Sequence, residues 1–245
     1  MGNDFFKFEE NDLDFPFYNG KPSVSIIGWA VLTFGVILTI AFYFGLAAYI
    51  PGYEHWPFPL AAIVDILIIL IPLAYCCKGK LGLIIKMPKL KDMKVVILCA
   101  IAYLVSTMAI NMILEMFGVV GTSNPLGEAA AAAPLLVTVD LLVSLFGEEL
   151  FKITIFLIVM AAAYHVTKNR KNSIIVGIVG ACILFGLIHM PTYDFNIAQC
   201  MLLIGIGCVF HICPYVKTKN IVNSYITHLM IDFVIFLPFM IMGAM

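Results

Sequence analysis

Charge is what this chain has least of. Asp, Glu, Lys and Arg make up 12% of its 245 residues, against roughly 25% in a soluble globular domain. With 62% hydrophobic residues and a mean hydropathy of +1.05, that scarcity excludes a soluble fold and makes the lipid bilayer the first expected partner. Nucleic acid is not an expected partner. A paired cysteine framework is lacking too: the 7 cysteines lie mostly in apolar segments or at their edges, which excludes a disulfide scaffold. Cys208, His211 and Cys213 come near a ligand spacing, but with no second pair they read as core residues. The absence of an HExxH helix removes the simplest zinc-protease signature. The acidic residues show no repeat symmetry, which weighs against an inverted-repeat transporter.

The first 22 residues lack the basic n-region of a signal peptide and are instead acidic, with Asp4, Glu9, Glu10, Asp12 and Asp14. They are expected to form a cytoplasmic segment, 1–25, ahead of a single transmembrane domain, 26–245. Apolar runs near the roughly 20 residues that cross a hydrocarbon core fall at 26–50, 58–77, 95–120, 134–164, 173–190, 197–213 and 221–245. The expected fold is all-α, a polytopic membrane helix bundle of about seven transmembrane helices. Lys and Arg are missing from alternate loops, 51–57, 121–133 and 191–196, and from the C-terminus. All but Lys152 of the 14 basic residues thus fall on one side, which the positive-inside rule makes the cytoplasm. The expected location is a plasma membrane, with the N-terminus inside, the C-terminus outside and a bacterial source. Segment 77–95 mixes Lys with Leu, Ile and Met and reads as an interfacial stretch. The loop from Gly121, rich in alanine up to Ala133, reads either as a cover over a site or as the first turns of the helix that follows.

Within the apolar runs stand Asp65, Glu115, Asp140, Glu148, Glu149, Lys152, His189, His211, His228 and Asp232. Two successive carboxylates at bilayer depth are costly, about 2.5–3.5 kcal/mol each even on lenient insertion scales. Lys152 follows Glu148 by four residues and Glu149 by three, so it can pair with either. His228 and Asp232 are also four apart, and His189 ends its helix because Pro191 disfavours helical geometry at Met190. Asp65, Glu115 and Asp140 read as packing or cavity residues, and His55, Trp56 and His165 as interface residues. A carboxylate with two imidazoles from different helices suits peptide hydrolysis: a base for water, a donor for the oxyanion and an acid for the leaving amine. The same set could hold zinc, with Glu148, His189 and His228 as ligands. A structural buried network and a proton or ion pathway are the other readings of these residues.

Three short patterns within the catalytic core, 134–240, resemble the CPBP family, also called the Abi or type II CAAX prenyl endopeptidase family, of intramembrane proteases. Glu148–Glu149 with a nearby cation resembles its EExxxR motif, Phe185 to His189 its FxxxH, and His228 to Asp232 its HxxxN or HxxxD. The resemblance covers 145–233 and implies a glutamate-dependent endopeptidase, often described as a metalloprotease, acting on a membrane-associated or leader- or pheromone-type peptide. It implies that Glu148 and His189 activate water, that His228 and Asp232 stabilise the oxyanion and that Glu149 orients the site. Two departures stand out. The motif's arginine falls at Ile153 and the cation is Lys152, about 100° round the helix, which shifts the preferred i,i+4 partner to Glu148 and resembles PrsW-type proteases. Asp232 stands where asparagine is commoner, and an ionised carboxylate cannot donate to an oxyanion. The alternative is a non-proteolytic scaffold or bacteriocin immunity protein of the same fold.

Overall fold

A computed structural model describes residues 5–56 and 59–243. Asp4, the start of the run at 58 and the last two residues of the run ending at 245 lie outside the described residues. Every regular element among the described residues is helical. The long helices are α1 (Ile26–Tyr43), α2 (Leu60–Cys76), α3 (Met93–Met116), α5 (Pro134–Thr167), α6 (Arg170–Ile188), α7 (a π-helical turn, Gln199–Gly205, running into Ile206–Thr218) and α8 (Ile221–Gly243). A short α4, Leu126–Ala132, precedes α5. Five of these segments (α1, α3 with its leading turn, α6, α7 and α8) are long and apolar enough to cross a membrane, and α2 is apolar but shorter.

The helix ends differ from the apolar runs for local reasons. The first run reaches 50, yet α1 stops at Tyr43 because Gly45 and Gly52 take φ of 97° and 76° and turn the chain. The alanine-rich loop forms a helix of its own: Ala133 is forced out of helical geometry by Pro134 (φ −145°, ψ 69°), and Pro134 then starts α5 as its first residue. At 34 residues, roughly 51 Å, α5 is the axis of the bundle. It packs against α1, α2, α6 and α8, while α7 lies against α3, α6 and α8. Gly186 lets α6 meet the π-helical turn, since a Cβ there would stand 2.8 Å from the Cys200 carbonyl oxygen.

The N-terminal segment is not a loose tail: it closes the lysine-rich end of the bundle. Phe15 and Phe17 are buried, and Phe15 packs edge-on to Phe156 of α5 at 5.2 Å. Glu9, with a fully buried side chain, bridges Arg170 at the start of α6 (3.0 and 2.8 Å) and Lys219 in the α7–α8 turn (2.6 Å). Segment 77–95 adds to the closure, with Lys86 donating to the Lys219 carbonyl at 2.8 Å while Met87 and Leu90 stay exposed. Burial works to raise the Glu9 carboxyl, but hydrogen bonds from Arg170 and Lys219 outweigh it and hold the group below its ordinary 4.5. A carboxylate with a depressed folded pKa adds stability that is complete above its ordinary value and is lost as pH falls through the folded value. Glu9→Gln, which strips the buried Lys219 ammonium of its carboxylate while Arg170 keeps Asp14 at 3.0 Å, is therefore expected to cost about 3–5 kcal/mol near neutrality. The same change should flatten the acid limb of a melting-temperature profile, and an unchanged limb would show that Glu9 is not the group that titrates there.

Candidate active site

Adjacent residues on a helix point about 100° apart, so Glu148 and Glu149 cannot face the same way. Glu148 looks into a cavity of about 320 Å³, together with Asp140 and Ser144 from the two preceding turns of α5. Glu149 turns the other way, its side chain 0% exposed against 14% for Glu148. Lys152, equally buried, holds Glu149 Oε1 in a direct ion pair. The pairing expected from i,i+4 spacing, Lys152 with Glu148, is thus corrected to the i,i+3 pair. The reason lies on other helices: Lys152 Nζ also donates to His211 Nδ1 of α7 at 2.8 Å and to His228 Nδ1 of α8 at 3.2 Å, both on the Glu149 side. The ring of Phe185, 4.2 Å from Nζ, closes the fourth side.

The partners of the two cavity histidines assign opposite proton positions. His189 Nδ1 lies 2.8 Å from the Phe185 carbonyl, which can only accept, so Nδ1 carries the hydrogen and Nε2 is left with a lone pair. His228 Nδ1 accepts a hydrogen bond from the Lys152 ammonium, which can only donate, and this places the ring's own hydrogen on Nε2. Glu149 Oε1 lies 2.9 Å from the same Nδ1, and both meet the Lys152 ammonium. His228 Nε2 then faces Asp232 Oδ1 at 3.7 Å and Glu148 Oε2 at 3.9 Å across the cavity. A ring with a basic nitrogen and a ring with a donor thus border one space, with a carboxylate beside them.

The expected site residues Glu148, His189, His228 and Asp232 all line this cavity. Glu149 and Lys152 lie behind it in a dry layer, and Phe185 supplies both the acceptor for His189 and the ring beneath Lys152. Glu115 is apart, bonded to Asn111 at 2.6 Å, and Asp65 lines a separate space of about 190 Å³ beside Tyr43. The reading of His211 as a plain core residue is corrected: it is buried, but on Lys152 and 4.2 Å ring to ring from His228. Its charge partner is on another helix, so no spacing within α7 revealed it. The phenols of Tyr103 and Tyr193 border the cavity without a motif to mark them. The 121–133 loop covers one side, where Asn124 donates to the Tyr193 hydroxyl at 2.9 Å and Gln199 bonds the Thr122 backbone at 2.8 and 2.9 Å.

Glu149, His211 and His228 offer ligand atoms that all lie within 4.8 Å of one another, close enough to hold a metal ion. This is not the expected set of Glu148, His189 and His228, with which it shares only His228. The three atoms surround the Lys152 ammonium, whose three N–H groups match them in number. A divalent ion does not fit that centre while the lysine occupies it.

Residues 130–234 match the family described as type II CAAX prenyl endopeptidase Rce1-like, which is consistent with the CPBP family. The matched region runs from the last turn of α4 into α8 and includes Glu148, Glu149, Lys152, His189, His211, His228 and Asp232, while Tyr43, Tyr103 and Asn124 at the cavity lie outside it. No curated protein and no solved structure matches the chain.

Proposed function

We propose, from a chain whose α4–α8 region matches the type II CAAX prenyl endopeptidases, that this protein is a glutamate-dependent intramembrane endopeptidase. The observation that carries the reading is the opposed pair of imidazoles beside Glu148: a basic Nε2 on His189 and a donor Nε2–H on His228, facing one cavity. Glu148 and the His189 lone pair draw a proton from water, which attacks the peptide carbonyl. The His228 Nε2–H receives the developing oxyanion. Asp232, beside that nitrogen, orients the ring, which is a role an ionised carboxylate can fill where a donor's role is not. The proton held by Glu148 passes to the leaving amine. Zinc is given no step, because Lys152 already supplies the positive charge at the centre of the Glu149–His211–His228 set.

The substrate class is a peptide reached from the end of the bundle opposite the lysines. Tyr43 at the far end of α1, Asn124 and Tyr193 line the cavity, whereas the lysine-rich end is closed by the N-terminal segment and the Glu9 bridges. With the lysines in the cytoplasm, the cavity faces the outer side of a plasma membrane, which suits a leader- or pheromone-type peptide. The test is a fluorogenic peptide library added outside right-side-out membrane vesicles, with the purified protein in detergent alongside. Cleavage in both formats is expected. Cleavage only in detergent would reverse the assigned side, and a folded protein inert in both would favour the scaffold or immunity reading.

A further inference from the structure

The buried layer behind the cavity has a metal-ligand geometry and a lysine at its centre. We infer that the Lys152 ammonium is a built-in substitute for a metal ion, and that the Glu149–His211–His228 set is a latent divalent-cation site that opens when the lysine is removed. The inference is independent of the peptidase reading, because it concerns which cation the layer holds.

Three observations carry it. The ligand atoms are convergent: one carboxylate oxygen and two imidazole nitrogens from α5, α7 and α8 lie within 4.8 Å of one another, a donor set suited to zinc or cobalt. All three are buried, so the set was assembled at the desolvation cost of a carboxylate and must contain a positive charge to offset it. That charge is Lys152 Nζ, in contact with Glu149 Oε1 and at 2.8 and 3.2 Å from the Nδ1 atoms of His211 and His228. Both imidazoles therefore already present to a cation the nitrogens that would bind a metal. The fourth direction, which a catalytic metal leaves for water, is filled by the Phe185 ring at 4.2 Å. The lysine thus gives the layer a charge of fixed position that no chelator can remove.

Lys152→Ala deletes the ammonium and its four-carbon stem, leaving room for an ion among the same three donors. The probe is Co²⁺, added to the purified full-length protein, with excess removed by desalting against a weak chelator. Retained cobalt is then read by elemental analysis and by its visible ligand-field bands. Wild type is expected to retain essentially none, Lys152→Ala about one equivalent with bands of a nitrogen- and oxygen-ligated ion, and Lys152→Ala/His211→Ala none. Two results overturn the inference: wild type retaining an equivalent that His211→Ala removes, or folded Lys152→Ala retaining none. Should Lys152→Ala aggregate when made without metal, growth with cobalt is expected to return a monodisperse protein, and aggregation unchanged by cobalt counts against the inference.

Discussion

Glu148→Gln is expected to give a folded protein whose kcat for peptide cleavage is lower by at least about a hundredfold, with KM little changed. The substitution keeps size and shape and removes only the ability to accept a proton. Glu148 is the carboxylate of the pair that reaches the cavity, and no lysine contact depends on it. His189→Ala is expected to fall to a similar extent, because it removes the lone pair that the Phe185 carbonyl directs at the same water. Combining the two should cost little more than either alone, since two groups that share one proton transfer act as a unit. If Glu148→Gln retains activity within threefold of wild type, Glu148 is not the base and the assignment of the two glutamates must be reversed.

The two glutamates mark the limit of what spacing along one helix can decide. The helical bundle followed from the apolar runs, and three short patterns on three helices picked out residues that all come to lie in or beside one cavity. Which way each glutamate faces did not follow. Spacing on α5 alone favours Lys152 with Glu148, but a side chain with two acceptable partners goes where other helices put the remaining acceptors, and α7 and α8 put His211 and His228 next to Glu149. His228 stands seven residues into α8 and His189 just beyond the far end of α6, yet Phe185 packs against both, with ring centroids 6.2 and 4.6 Å away. The closing role of the N-terminus was hidden for a similar reason. Glu9 looks like one acid among several until Arg170 and Lys219, more than 150 residues away, are seen to meet on it.

A large effect on stability is expected at Glu149. Removing that carboxylate leaves the Lys152 ammonium buried against two imidazoles and a phenyl ring, with no anion beside it. Breaking one partner of a buried pair costs about 3–5 kcal/mol, most of it the penalty of the stranded charge rather than the worth of the bond. Glu149→Met should therefore lower the denaturation midpoint in detergent steeply, whereas Glu149→Met/Lys152→Met, apolar on both sides and similar in volume, should recover much of the loss. The coupling in that cycle separates two roles. If the double variant is as stable as wild type but cleaves at least about tenfold more slowly, the ion pair is present for the cavity: without Lys152 nothing donates to His228 Nδ1, and the hydrogen on Nε2 is no longer fixed. If the loss in the double variant equals the sum of the losses in Glu149→Met and Lys152→Met alone, the pair is not coupled, and the layer is held by packing around Phe185 instead.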